Sequence, residues 1–309
     1  MNKIVKNYIY NLLYNVLVLL APLITAPYLA RVLGATRLGI YSYVNSVTSV
    51  VISISLVGLS SYGSRQVAYE RDDKEHLSKI FSNIISLRFG LGILGTLIYF
   101  LFAGFSNYQY YFALYYIYYL GNVLDCTWLF VGVEDMKIPA LKNTLAKIIS
   151  IAGIFLLVKT KDDLSKYIFI LAISSFIGMI VSYPQLRKYI FPQKPDIKSF
   201  VQHYKGALIL FLPGLVSTIY LQIDKVMIEW LTNKTDQISF YDQAEKIVMI
   251  PLTFITVLST VMMPRIANEF ANNHKKSIEN LLIKSCKVSL FLAYPLMFGI
   301  AAIANDFIP

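Results

Sequence analysis

Charged side chains are scarce in this chain. Asp, Glu, Lys and Arg make up 15% of its 309 residues, whereas soluble domains carry about 25%. Hydrophobic residues reach 56% and the mean hydropathy is +0.57. The only cysteines, Cys126 and Cys286, lie inside apolar runs, so the sequence indicates neither a disulfide framework nor a reactive thiol. A water-soluble fold cannot bury that much apolar surface, and the excess is expected to face lipid.

Long uncharged or nearly uncharged runs recur along the whole chain. A helix of roughly 17–25 residues crosses the hydrocarbon of a bilayer, and nine runs approach or reach this length. The sequence therefore predicts an all-α, multi-pass membrane protein with about nine transmembrane helices. The predicted spans are Tyr8–Ala30, Leu38–Tyr62, Ile84–Phe105, Tyr108–Val131, Asn143–Val158, Tyr167–Leu186, Gly206–Leu231, Ile247–Met263 and Val288–Ala304.

The formal net charge is +10, but the basic residues stand between hydrophobic runs instead of forming a hydrophilic domain. This distribution excludes a nucleic-acid-binding module. With the N-terminus placed inside, 20 Lys and Arg residues fall on inner segments and 6 on outer segments. The positive-inside rule therefore predicts a cytoplasmic N-terminus.

A shift of 200 residues aligns the chain with itself. Gly39 at the start of span 2 falls on Ser239 ahead of span 8, and Arg65 falls on Arg265. An offset of six spans preserves orientation and predicts a parallel repeat. The predicted domains are a six-helix lobe over 1–190, a cytoplasmic linker over 191–205, and half of a second lobe over 206–309.

Several motifs resemble the oligosaccharide flippases of bacterial polysaccharide synthesis. These proteins are the O-antigen and capsule repeat-unit transporters of the multidrug/oligosaccharidyl-lipid/polysaccharide exporter superfamily. The resemblance covers essentially the whole chain. It rests on the segments Asn11–Gly34, Leu38–Tyr41, Gly58–Arg65, Gln222–Ile228, Tyr241–Ile247 and Pro264–Ala267.

The resemblance implies a MATE-like fold of two six-helix lobes around a central cavity, and an expected location in the bacterial cytoplasmic membrane. It implies a transporter without cofactors that moves polyprenyl-diphosphate-linked oligosaccharides for capsule, O-antigen or exopolysaccharide synthesis by alternating access. Expected partners are the lipid-linked glycan, membrane lipids, and the polymerase and glycosyltransferases of the pathway. Family members have 12 to 14 spans, so this chain is expected to be truncated at its C-terminus and inactive alone.

Three arginines are candidates for contact with a diphosphate headgroup. If the repeat holds, Arg65 and Arg265 flank the inner mouth, where guanidinium groups suit bidentate phosphate binding. Arg88 lies about one turn from the inner end of span 3 and is expected to snorkel toward the headgroups. For all three, a purely topological role as positive-inside anchors stays open.

Span 4 is rich in tyrosine. Tyr108, Tyr111, Tyr115 and Tyr119 fall on one helical face. Tyr115 and Tyr119 lie deepest, and two interpretations stay open for them: stacking on sugar rings in a polar cavity, or ordinary packing between helices.

Intramembrane charges are functional candidates because burying them is costly. Asp125, Asp224 and Lys225 are therefore predicted to serve coupling or gating, although for Asp224 a hydrogen bond at the end of a helix explains its position equally well. No metal site is predicted, since His76, His203 and His274 have no second ligand at i+3 or i+4.

Two other functions stay open. A cation-coupled drug or small-molecule exporter of the same superfamily would prefer acidic groups deep in the first lobe, where Asp125 is the one intramembrane carboxylate. A polyprenyl-dependent glycosyltransferase would need carboxylates in the first outer loop, and Arg31–Arg37 has none. A polymerase would need a large outer loop, which is also lacking. The chain is accordingly predicted not to be an enzyme.

Overall fold

The structure is a computed structural model that describes residues 3–249 and 275–307 and the single residues 252, 266 and 269; within these, the side chains of 3–20, 23, 275–277 and 303–307 are not described. All regular elements in these ranges are helical, which confirms the predicted all-α class. Short 3-10 turns cover Lys161–Asp163 and Tyr183–Lys188. The helices are α1 (Lys3–Leu56), α2 (Leu59–Tyr69), α3 (Lys74–Gly104), α4 (Gln109–Val123), α5 (Thr127–Gly132), α6 (Lys137–Leu157), α7 (Leu164–Ser182), α8 (Ile197–Thr232), α9 (235–249) and α10 (Lys275–Phe307).

Six stretches within the described ranges are long and apolar enough to cross a bilayer. The difference from nine predicted spans has three sources. Most of predicted span 1 lies among residues whose side chains are not described, predicted span 4 is divided between α4 and α5, and most of predicted span 8 lies outside the described residues. The six stretches are Ile24–Leu56, Lys74–Gly104, Lys137–Leu157, Lys161–Lys188, Ile197–Thr232 and Ile278–Ala302.

The predicted outer loop Arg31–Arg37 is reduced to a break at one residue. Gly34 has φ 76° and ψ 169°, a conformation that glycine adopts without steric penalty. The break lies against the connection between α6 and α7. Tyr28 donates a hydrogen bond to the Val158 carbonyl at 2.6 Å, and Arg37 pairs with Asp162 at 2.9 Å. Segments predicted to be on the outer side thus lie together.

At the opposite end, two helices end earlier than the spans predicted from the sequence. Predicted span 2 was wrong in running to Tyr62, because α1 ends at Leu56 and the chain turns at Val57 (φ 45°) and Gly58 (φ 69°). Predicted span 4 was wrong in running to Val131, because α4 ends at Val123 before the break Leu124–Cys126. Each break is followed by a short helix, α2 or α5, and these two helices pack on each other.

Two apolar clusters hold this arrangement together. The larger joins α1, α4, α6 and α7, with Val44, Phe112, Ile154 and Ile168 among its least exposed members. The smaller lies at the predicted inner end and joins α2, α3 and α5 through residues such as Leu59, Ile84 and Leu129. Since α3 already contributes Leu77 and Phe81 to this second cluster, it begins well before Ile84, the predicted start of span 3.

α8 runs along α1 and α2 and approaches them closely at glycines. A Cβ atom on Gly39 would lie 1.6 Å from the Thr235 carbonyl oxygen, and one on Gly206 would lie 2.4 Å from the Tyr62 ring. The first contact is with the first residue of α9, just after α8 ends, and the second is near the start of α8. The backbone approach at Gly39 therefore has no room for any larger residue.

The variant Gly39→Ala is expected to lose about 2–3 kcal/mol of stability and about 5–10 °C in Tm, because backbone and not a flexible side chain must move. Thermal unfolding of the purified protein in detergent measures the loss. Gly90→Ala is the matched control: a Cβ there has nothing within 4 Å, and alanine is the better helix former. An equal loss of stability in both variants would show that the close backbone contact at Gly39 is not its cause.

The chain divides into two compact units, Met1–Asp242 and Gln243–Pro309. All contacts described below belong to the first unit. The second contains α10, an apolar helix with Pro295 in its interior. The lobe boundaries at 190 and 206 stay a prediction.

Candidate functional site

A cavity of about 430 Å³ lies between α1, α2, α4 and α8. None of the described residues that line it carries a formal charge. Its floor and sides include apolar groups such as Leu56, Phe211 and Leu215. Its polar wall consists of hydroxyl and amide side chains: Ser49, Ser53, Ser60, Ser61, Tyr118, Asn122, Thr218 and Gln222.

The two helix breaks at the predicted inner end contribute part of this wall. The turn at Val57 and Gly58 allows α2 to begin at Leu59, which brings Ser60 and Ser61 to the cavity. The end of α4 at Val123 brings Asn122 to the same space. Gly58 adopts its positive φ without strain because it is a glycine. Since it has no side chain, the Phe211 backbone packs closely against it, and α8 forms the remaining wall of the cavity.

Arg88 of α3 forms hydrogen bonds to residues at both breaks. It donates hydrogen bonds to Ser60 Oγ at 2.7 Å, to the Asn122 carbonyl at 2.7 Å and to the Val123 carbonyl at 3.3 Å. The carbonyls belong to the last turn of α4, where the helix dipole favours a cation. Arg88 is only 1% exposed. The expectation that it snorkels is therefore wrong. From the middle of α3, the Arg88 side chain reaches hydrogen-bond acceptors inside the protein and not the headgroups.

A buried ion pair lies further toward the predicted outer end. Lys225 Nζ is 3.1 Å from Asp242 Oδ1, and Ser42 donates to Asp242 Oδ2 at 2.9 Å. Both charged residues are buried. The pair connects α8, α9 and α1, so the predicted candidate Lys225 lies at a junction of three helices.

The carboxylates Asp224 and Asp125 lie away from the cavity lining. Asp224 is exposed near the end of α8 and accepts a hydrogen bond from Tyr241. Asp125 lies in the break between α4 and α5, where it accepts from the Thr127 hydroxyl and pairs with Lys142. Both positions fit hydrogen bonding at the end of a helix.

Tyr115 and Tyr119 are buried in the large apolar cluster, and the described cavity lining contains neither of them. Tyr115 donates to Asn45 Oδ1 and Tyr119 to the Gly92 carbonyl, both at 2.9 Å. Their positions match packing between helices. The tyrosine that lines the cavity is Tyr118, whose ring stacks on Tyr115 at 4.7 Å.

Arg65 is exposed on α2, one helical turn beyond the cavity residue Ser61. Its Nε donates to the Tyr69 hydroxyl at 2.8 Å. The residue predicted to pair with it by symmetry, Arg265, lies outside the described residues. The predicted pairing of the two arginines stays a prediction.

The family match covers most of the chain: residues 4–270 match the family described as "Polysaccharide biosynthesis protein". The chain belongs to this polysaccharide biosynthesis family. The resemblance identified from the sequence motifs is thereby confirmed.

Two curated relatives bear names that assign them to O-antigen transport. One, from Shigella dysenteriae, is 24% identical over 80% of this chain and 63% of its own length. The other, from Escherichia coli K12, is 27% identical over 53% of this chain and 40% of its own length. The chain thus spans less than two thirds of either relative.

Solved structures show the same fold. An inward-facing multidrug resistance MATE transporter of the MOP superfamily superposes with a TM-score of 0.67 at 15% identity, covering 97% of this chain and 71% of that one. A MOP superfamily transporter from Pyrococcus furiosus gives a TM-score of 0.53 at 15% identity, covering 98% and 70%. The MATE-like fold is confirmed, and together with the six apolar stretches it supports a multi-pass membrane protein.

Most cavity residues of this family member were missed by sequence reasoning, which weighed formal charges and tyrosines. A signal was nevertheless present. Along predicted span 2, serine recurs at intervals of four, three and four residues, which places one polar stripe on a helix. The stripe consists of Ser42, Ser46, Ser49 and Ser53.

Among the described residues, no group of three or more His, Cys, Asp or Glu side chains is arranged to hold a metal ion. What the cavity offers is a set of neutral hydrogen-bonding groups beside apolar walls. This combination suits binding and release of a neutral, hydroxyl-bearing molecule.

Proposed function

We propose that this family member takes part in moving polyprenyl-diphosphate-linked oligosaccharides across the bacterial cytoplasmic membrane, for O-antigen, capsule or exopolysaccharide synthesis. The observation that carries the proposal is the uncharged, hydroxyl- and amide-lined cavity within a bundle of membrane-spanning helices. The family and the names of the two relatives support it. Transport of this kind needs no covalent chemistry, and none is assigned to the chain.

Alternating access would proceed by movement of α8 relative to α1 and α2. At the inner end, the Tyr62 hydroxyl lies 3.0 Å from His203 Nδ1. Toward the outer end, Asp242 binds both Lys225 and Ser42. Opening the cavity to either side would separate one of these contacts while the other stays closed. Lys225 is in this sense a gating candidate, and the lobes 1–190 and 206–309 would be the moving parts.

The diphosphate headgroup would bind at the inner mouth. Arg65 is exposed one turn from the cavity residue Ser61 and has its charge available, and Arg265 is proposed as its counterpart. An exposed arginine suits a ligand that arrives from the headgroup region.

We place the N-terminus in the cytoplasm because of the 20-to-6 distribution of basic residues. The grouping of predicted inner segments supports this orientation: Arg71 pairs with Glu134 at 2.9 Å, and the Asp196 amide donates to Asn83 at 2.7 Å. A polymerase and glycosyltransferases of the same pathway are the proposed protein partners.

A cation-coupled drug exporter is the second candidate, favoured by the MATE neighbours. A cationic drug would be held best by a carboxylate in the cavity, but Asp125, the carboxylate proposed for that role, pairs with Lys142 instead. The neutral lining supports the oligosaccharide over the cation.

Binding separates the two candidates without requiring a complete transport cycle. We expect the purified chain in nanodiscs to bind a polyprenyl-diphosphate-linked trisaccharide saturably and a rhodamine dye weakly. Arg65→Ala should weaken binding of the trisaccharide lipid about tenfold. Arg187 is also exposed, and Arg187→Ala should have no effect. Tight binding of the dye without binding of the lipid would favour the exporter.

A further inference from the structure

We propose that the cavity is a preorganised subsite for the glycan and not for the diphosphate, and that Arg88 is the positioning residue that maintains it. This inference rests on the proposed function and specifies which part of the substrate the cavity takes. Three polar side chains of its wall are each fixed by a hydrogen bond within the protein. Each fixed bond determines which group is left for a ligand.

Ser60 is left as a donor. Its Oγ accepts from Arg88 Nη1 at 2.7 Å. Because the guanidinium can only donate, it occupies a lone pair of the hydroxyl and leaves the O–H free to point elsewhere. A serine without this neighbour would rotate between donating and accepting.

Asn122 is left as an acceptor and Gln222 as a donor. The amide nitrogen of Asn122 donates to the Tyr118 carbonyl at 2.9 Å, which leaves Oδ1 for a ligand. Ser46 donates to Gln222 Oε1 at 2.8 Å, which leaves the Gln222 amide N–H groups. Within the described part of the chain, these remaining groups have no hydrogen-bond partner.

Two donors and an acceptor, together with the Tyr118 ring, match a sugar. Sugar hydroxyl groups both donate and accept, and the C–H face of the ring is apolar enough to lie on an aromatic side chain. The volume of about 430 Å³ lies within the range of small-molecule sites, about 300–1,000 Å³. The wall thus provides what a neutral saccharide residue requires.

A diphosphate is a poor match for the same wall. An anion needs converging donors with positive charge, but Asn122 Oδ1 would face it as an acceptor and no charged side chain is present among the described lining residues. The nearest cation from behind the wall, Arg88, is buried and already bound to two carbonyl groups. Its charge stabilises the α4 terminus and the Ser60 hydroxyl instead of a ligand.

The test compares two ligands on the same protein in nanodiscs: a polyprenyl-diphosphate-linked neutral trisaccharide and bare polyprenyl diphosphate. We expect the glycan-bearing lipid to bind about tenfold tighter. Ser60→Ala and Gln222→Ala should each weaken its Kd about fivefold and leave the Kd for bare polyprenyl diphosphate unchanged. Arg88→Lys should produce the same selective loss, since a lysine cannot span Ser60 and both carbonyls.

Ser64→Ala is the matched control, because Ser64 lies one turn further along α2 and donates to the Ser61 carbonyl. It should change neither Kd. Equal binding of both lipids by the unmodified chain would overturn the subsite and leave the proposed function standing. Equal weakening of both lipids, or of neither, in the Ser60 and Gln222 variants would also overturn it. Absence of binding by either lipid would contradict the proposed function itself.

Discussion

Lys225→Met is expected to lower the free energy of unfolding by about 3–5 kcal/mol, because it removes the lysine that pairs with the buried Asp242 carboxylate. The side chains of Lys225 and Asp242 are only 6% and 11% exposed, and their charged atoms are 3.1 Å apart. In a low-dielectric environment the remaining charge is not compensated by water. Equilibrium unfolding in mixed micelles would measure the loss.

The second substitution Asp242→Asn should recover a large part of that loss. An asparagine is neutral and its carboxamide oxygen still accepts the hydrogen bond from Ser42. Lys234→Met is the matched control, since Lys234 is exposed close to the end of α8. If the double variant were no more stable than Lys225→Met alone, an uncompensated charge would not be the cause.

Arg88→Met is expected to lower the free energy of unfolding by about 3 kcal/mol and Tm by about 10 °C. Methionine fills part of the volume but leaves the last carbonyls of α4 without the donor that binds them. Those carbonyls lie at a helix end inside the protein, where water does not replace the lost bonds. Thermal unfolding in detergent would measure the shift.

Arg65→Met provides the comparison for Arg88→Met. Arg65 is exposed and its hydrogen bond is to Tyr69 on the same helix, so its replacement should change Tm by about 2 °C at most. Similar losses in the two variants would mean that the burial of Arg88 contributes little to stability.

The two arginines also illustrate the limit of reading depth from a sequence. Counting residues from a helix end gives a distance along the axis, and by that measure Arg88 is within reach of the headgroups. It does not give the direction of the side chain. Neighbouring helix ends at Ser60 and Asn122 offer Arg88 three acceptors inside the protein, and those belong to segments 28 to 35 residues away.

Tyr115 and Tyr119 show that the sequence also does not determine what a helix face contacts. Their shared face is correctly read from the spacing, but spacing does not say whether that face meets a cavity or another helix. Tyr119 is bonded to Gly92 and Tyr115 to Asn45, on two different helices. The cavity lies instead beside Tyr118.

Hydropathy and charge along the chain are sufficient to predict an all-helical membrane protein and the grouping of segments at either end. These two properties follow from the bilayer, which requires apolar helices of a given length and acts on each segment separately. The family was indicated by the resemblance of sequence motifs. The helix breaks at Val57–Gly58 and Leu124–Cys126, the cavity between them and the buried position of Arg88 depend on contacts between distant segments. Only the tertiary structure brings those segments together, so only it decides which polar groups are satisfied within the protein and which are left for a ligand.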